Sequence, residues 1–103
     1  MDWRSIQIEG IAEIEREVAV FYVAPRNPDL PMMFRVQIVE TQNRGFIGHP
    51  EIALKDAAGN PDWTSGRGDT IETALADTVA AFLQTVAGKE PITDESIAWT
   101  ERF

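Results

Sequence analysis

Residues 64–83 read TSGRGDTIETALADTVAAFL. The stretch opens with two motif-like features, a Gly-x-Gly and an Arg-Gly-Asp triplet, and runs into the strongest periodic pattern of the chain. Ile71, Leu75, Val79, Phe82 and Val86 recur at i, i+4, i+8, i+11 and i+15, with Leu83 widening the stripe, and this spacing predicts an amphipathic helix. Asp69 with Glu72 three residues on is one candidate N-cap, and Thr70 is the other. Downstream, Gly88 suits the position just past a helix, Lys89 complements the negative end of the dipole, and Pro91 prevents continuation. "SGRGDT" then reads as a loop with two flexible glycines leading into a cap. It lacks the Gly-Lys-Ser/Thr of a phosphate loop, and Asp69 and Glu72 already place carboxylates at the positive helix end, which disfavours phosphate there. The Arg67-Gly68-Asp69 triplet has an integrin-ligand spelling, but Asp69 is better employed at the helix start.

Working back from the helix, the preceding segments read as strands. "FRVQIVE", residues 34–40, puts Phe34, Val36 and Ile38 on one face and Arg35 and Gln37 on the other. "TQNRG", residues 41–45, offers Asn43 and Gly45 for a hairpin turn. The return strand "FIGHPEIALKDA" is expected to break or bulge at Gly48 and Pro50, since proline cannot donate to a ladder. "DAAGNPDW", residues 56–63, is a second tight turn, leading into a short strand around residues 63–65. Before all of these, "AEIEREVAVFYVA", residues 12–24, alternates. Ile14, Val18, Val20 and Tyr22 are expected on one face, with Glu13, Glu15 and Glu17 on the other, where Ala19, Phe21 and Val23 follow them. This predicts a strand solvated on one side at its start and covered on both sides at its end. A helix over Ile8, Ile11 and Ile14 competes for the N-terminal part, against Gly10 in its middle. "PRNPDLP", residues 25–31, is a connection, because its prolines stop both helix and central strand. The tail "TDESIAWTERF" reads as a short helix capped by Thr93 or as an edge strand, with Ile97, Trp99 and Phe103 packing back.

The expected fold is therefore α+β: an antiparallel three- to four-stranded meander, then one long helix across one sheet face, then a short C-terminal element. A chain of 103 residues suits one domain, 1–103, and 44% hydrophobic with 25% charged residues is ordinary for a globular protein. The absence of cysteine, of a signal-like N-terminus and of a long apolar run fits a cytoplasmic protein. Nine basic against seventeen acidic residues give a net charge of −8, which disfavours nucleic acid and anionic membranes.

Few residues could carry chemistry. His49 is the single histidine; without a second histidine, a cysteine or a metal-binding spacing it reads as structural or superficial, and neither a catalytic residue nor a cofactor is expected. Glu13, Glu15 and Glu17 form the densest acidic patch. They read as the solvated face of a strand, or as a contact for a basic partner. Trp3, Trp63 and Trp99 read as core and rim packing rather than a ligand platform.

"GDTIETALADTVAAFL", residues 68–83, resembles the strand-to-helix segment of HicB-like antitoxin domains, in which a short strand ends in Gly-Asp-Thr and the helix opens with Glu and Ala-Leu. "PDLP", residues 28–31, resembles a phrase of the same family. The resemblance implies a non-enzymatic domain whose acidic surface masks a basic ribonuclease toxin.

Three functions follow as expectations. The first is a non-enzymatic protein-interaction module that contacts a partner or itself as a homodimer; a sheet face left uncovered by the one helix would point to the latter. The second is an inhibitor engaging a basic partner through Glu13, Glu15 and Glu17. The third is a small-molecule binder using a groove between sheet and helix near Trp63, Gly66 and Arg67.

Overall fold

The computed structural model describes residues 2–31, 33–43, 45–87, 89 and 91–101. Among these residues lie strands β1 (Glu15–Val23), β2 (Phe34–Thr41), β3 (Phe46–Pro50), β4 (Ile52–Lys55), β5 (Pro61–Asp62) and β6 (Gly66–Gly68), helix α1 (Ile71–Val86) and strand β7 (Ile97–Trp99). Two short 3-10 turns, Trp3–Ser5 and Asp94–Ser96, complete the set. The fold is α+β. A four-stranded antiparallel sheet has the order β1-β2-β3-β6, and a smaller antiparallel sheet has the order β5-β4-β7.

The hairpin between β2 and β3 turns at Gly45, whose φ of 73° only glycine adopts without strain, and Thr41 N–H donates to the Gly45 carbonyl. The next turn uses Gly59 at φ 85°, and the Asp56 side chain accepts from the backbone of Ala58 and Asn60. Of the expected breaks in the return strand, the one at Gly48 needs correction, whereas the strand does end at Pro50. β3 runs unbroken through Gly48 to Pro50, and the chain bends at Glu51, where β4 leaves for the small sheet. Residues 63–65, expected to be a strand, link β5 to β6 instead. The tail combines its two alternatives: a Thr93-capped 3-10 turn delivers β7, in which Ile97 is buried and Trp99 exposed. Gly88 and Phe103 lie outside the described residues.

Helix α1 lies on one face of the large sheet because that face is apolar and, at β3 and β6, flat. Phe34, Val36 and Ile38 project from β2 onto it, and Phe34 meets Phe82 with ring centroids 5.1 Å apart. The buried line of the helix is Ala74, Thr78, Phe82 and Val86, with Ile71, Leu75 and Val79 flanking it and Leu83 exposed. The predicted stripe is thus rotated. Its centre is made of small residues because glycines face them: a Cβ on Gly48 would lie 2.0 Å from Thr78 Oγ1, and one on Gly66 would lie 2.2 Å from Thr78 N. The glycines of "SGRG" are strand residues pressed against a helix, not a flexible loop. Thr78 satisfies its buried hydroxyl by donating to the Ala74 carbonyl.

The helix cap is Thr70, whose Oγ1 accepts from Thr73 N–H while the Thr73 hydroxyl accepts from Thr70 N–H. Asp69 is therefore not the cap. Threonine holds φ −131° in the extended region and completes a reciprocal box that Glu72, one residue too early, could not close. Ile52, Leu54, Ile92, Ile97 and Leu30 continue the same core beneath the small sheet. Each large side chain buried in this way stabilises the fold by roughly 1.5–3 kcal/mol.

The N-terminal residues form neither the competing helix nor a long strand. Gly10 turns the chain at φ 87°, and residues 6–14 follow an irregular path around the β2–β3 hairpin. No helix among the described residues is long and apolar enough to cross a membrane.

Candidate interaction edge

Strand β1 carries the largest departure from simple alternation. Glu17 stands opposite Val39, but Ala19 stands opposite Ile38, so Val18 is an extra residue and the strand bulges there. A one-residue insertion exchanges the two faces for everything beyond it. Ala19, Phe21 and Val23 therefore join the helix-side core, while Val20 and Tyr22 emerge on the far face together with Glu15 and Glu17. This corrects the expected faces, which set Val20 and Tyr22 against the glutamates. It also corrects the expected covering: Val20 is 37% and Tyr22 66% exposed, because the helix covers only the other side.

Of the predicted acidic residues, Glu15 and Glu17 share the far face of β1, and Glu13 lies just before the strand. Glu17 accepts a hydrogen bond of 2.7 Å from Gln37 Nε2 on β2. His49, opposite Gln37 on β3, is half-buried on this same face. The far face is mixed in its middle, with the buried Val39 and Ile47 beside Gln37 and His49. Arg35 on this face donates from Nε and a terminal guanidinium nitrogen to the single oxygen Oε2 of Glu51, at 3.0 Å and 2.6 Å, while its backbone N–H donates to Oε1. The hydrogen bonds from Arg35 hold the Glu51 carboxyl below its ordinary range against the opposing effect of its partial burial.

On the helix side, Glu40 is buried at the end of β2 and is met by Arg16, whose Nε and second guanidinium nitrogen lie 3.0 Å and 2.8 Å from Oε1, and by Arg4. The hydrogen bonds from Arg16 and then Arg4 keep its carboxyl low, although burial pushes the other way. Trp3 stacks beneath Arg16, with the guanidinium 5.2 Å from the ring centroid. Gln42 adds to the clasp by donating to the Trp3 and Ile6 carbonyls and accepting from Ile14 N–H.

Edges distinguish this sheet more than faces do. β6, at one side, is three residues long, and Arg67 N–H, which no strand pairs, donates to Asp77 Oδ2 at 2.8 Å. β1, at the other side, is nine residues long, and no described strand pairs its outer edge. Its N-terminal half is guarded by Glu15, Arg16, Glu17 and the bulge, and Pro25 follows its end. Between them, residues 19–23 (AVFYV) carry no charge and no proline. Long uncharged edges of this kind template further strands. Beside this window, Val23, Phe34, Val79 and Leu83 line a groove of 380 Å³ between the end of β1 and the helix. The residues that carry it went unnoticed in the sequence because a bulge leaves no mark on composition; the uncharged run itself was visible.

The other expected groove is differently arranged. Gly66 is buried against the helix backbone, leaving no space there between sheet and helix, whereas Arg67 and Trp63 are exposed. A shallow depression borders Arg67, Gly68, Asp69 and Thr73 instead, and Trp63 is not among its walls. Trp3 lies in the first 3-10 turn, Trp63 in the link after β5 and Trp99 in β7, with Trp63 and Trp99 exposed. Comparison with known proteins finds no matching family, no matching curated protein and no matching solved structure.

Proposed function

We propose that the protein is a non-enzymatic protein-interaction module that accepts an extended strand along the outer edge of β1. The observation that carries this reading is the uncharged window at residues 19–23, unpaired by any described strand and bordered by an apolar groove. Main-chain groups along such an edge supply affinity, and alternate side chains entering a groove supply selectivity.

The test is a titration of the isotopically labelled full chain with a synthetic peptide of residues 15–26. Amide resonances of β1 and of the groove residues Val79 and Leu83 are expected to shift in a saturable manner. In a chain that light scattering shows to be a single copy at the titration concentration, absence of shifts, or shifts confined to other elements, would refute the edge as the docking site.

A further inference from the structure

We infer that the strand β1 accepts is β1 of a second copy of this chain, paired antiparallel about a two-fold axis at Phe21. The inference rests on the reading of β1 as a docking edge and names its occupant. Three observations select the partner and the register.

The first is charge. β1 opens on Glu15, Arg16 and Glu17, with Arg16 already paired to Glu40, and is followed at its end by the exposed Arg26. Parallel pairing would set the glutamates of one copy beside those of the other. Antiparallel pairing sets Arg26 of each copy level with residue 16 of its partner, between Glu15 and Glu17, where Arg16 is already held by Glu40, so this direction is the favoured one. The second is the extent of the window. Partners in an antiparallel ladder share a face, so Ala19, Phe21 and Val23 must meet one another, and so must Val20 and Tyr22. Centring on Phe21 pairs Ala19 with Val23 and Val20 with Tyr22 of the second copy. This register uses the whole run between the bulge at Val18 and Pro25. Centring on Tyr22 would place Pro25 opposite Ala19, and centring on Val20 would draw the bulged residue into the ladder. The third is the groove. Val23 lines it, and in this register the second copy's Ala19 stands directly opposite Val23 on the helix side, bringing apolar side chains to its mouth. Two four-stranded sheets would join into one, with both helices on the same face, and the exposed Val20 and Tyr22 would cover each other on the opposite face.

Light scattering on the purified full chain is expected to give twice the chain mass at micromolar concentration. The double variant Val20→Lys, Tyr22→Lys changes only exposed side chains; it is expected to give the single mass with an unchanged helical circular dichroism spectrum. Register is read by cross-linking, which is clean because the sequence has no cysteine. Chains carrying Val20→Cys mixed with chains carrying Tyr22→Cys are expected to form a mixed disulfide several-fold faster than either variant alone, since like positions are offset by two residues, about 8 Å between Cα atoms and past the ~7 Å reach of a disulfide. A chain that stays monomeric at sub-millimolar concentration while binding the 15–26 peptide would overturn the dimer and leave the edge reading standing. A monomer that also ignores the peptide would overturn both. A doubled mass insensitive to the lysines, or faster cross-linking between like positions, would overturn this interface.

Discussion

At the scale of single residues, the helix start and the glycine contacts fix where α1 sits. Thr70 and Thr73 satisfy two backbone N–H groups reciprocally, so Thr70→Ala is expected to cost about 1 kcal/mol in urea unfolding. Asp69→Ala removes only a charge near the helix N-terminus and should cost less than half as much. The order of these two values decides which residue is the cap. At Gly66 a methyl group would sit 2.2 Å from Thr78 N and 2.5 Å from Thr78 Cα, both backbone atoms that cannot rotate away. Gly66→Ala is therefore expected to destabilise by at least about 2 kcal/mol, as an overpacked core does. Gly10→Ala, with nothing within 4 Å, meets only the strain of its positive φ. The Gly-x-Gly was visible in the sequence, but its purpose was not. Close approach of two backbones is a relation between distant residues, and Ala74 and Thr78, the residues approached, escape an apolar count because one is small and the other polar.

At the scale of elements, the sequence made the helix and the β2–β3 hairpin legible because a period of 3.6 residues, a period of 2 and a turn glycine each leave a local mark. β1 was legible as a strand but not in its facing, since the bulge at Val18 is set by pairing with β2. The N-terminal segment was illegible for a related reason. It has no period of its own, and its path is imposed by a clasp in which Arg4 and Arg16 bind Glu40 and Gln42 binds the backbone of Trp3, Ile6 and Ile14. Glu40 has a folded-state affinity for protons below that of the ordinary carboxyl at 4.5. Protonation consequently favours the released segment, and the clasp is complete above the ordinary value and lost as pH falls through the lowered one. Hydrogen exchange in residues 3–14, corrected for intrinsic rates, is expected to rise as pH drops below about 4.5 while the amides of α1 stay protected. Glu40→Gln should raise exchange in the segment at neutral pH and remove the acid step. An unchanged acid step in that variant would assign the clasp to other groups.

At the scale of the whole molecule, the issue is whether the two sheets unfold as one body. They share no ladder, yet Ile52 and Leu54 of β4 and Ile97 of β7 belong to the same buried cluster as Phe34, Val36 and Phe82. Glu51, at the bend between the sheets, is tied to both: its carboxylate holds Arg35 of β2 and its carbonyl accepts from Thr100 N–H after β7. Cooperativity in small domains follows from a contiguous core rather than from continuous hydrogen bonding. Ile97, 7% exposed, probes the shared region from the C-terminal side. Ile97→Ala should cost about 2–4 kcal/mol, the usual range for deleting a large aliphatic side chain from a core. In a Trp3→Phe background the remaining tryptophans, Trp63 and Trp99, flank β5 and lie in β7, so fluorescence reports the small sheet while far-ultraviolet circular dichroism reports mainly α1. If the core is one unit, both signals are expected to move to lower denaturant together, with coincident midpoints before and after the substitution. An early fluorescence transition that leaves the helical signal in place would mean that the small sheet is an independently melting appendage. The joint through Glu51, where the Arg35 pair and the Thr100 hydrogen bond meet, would then be the weak point.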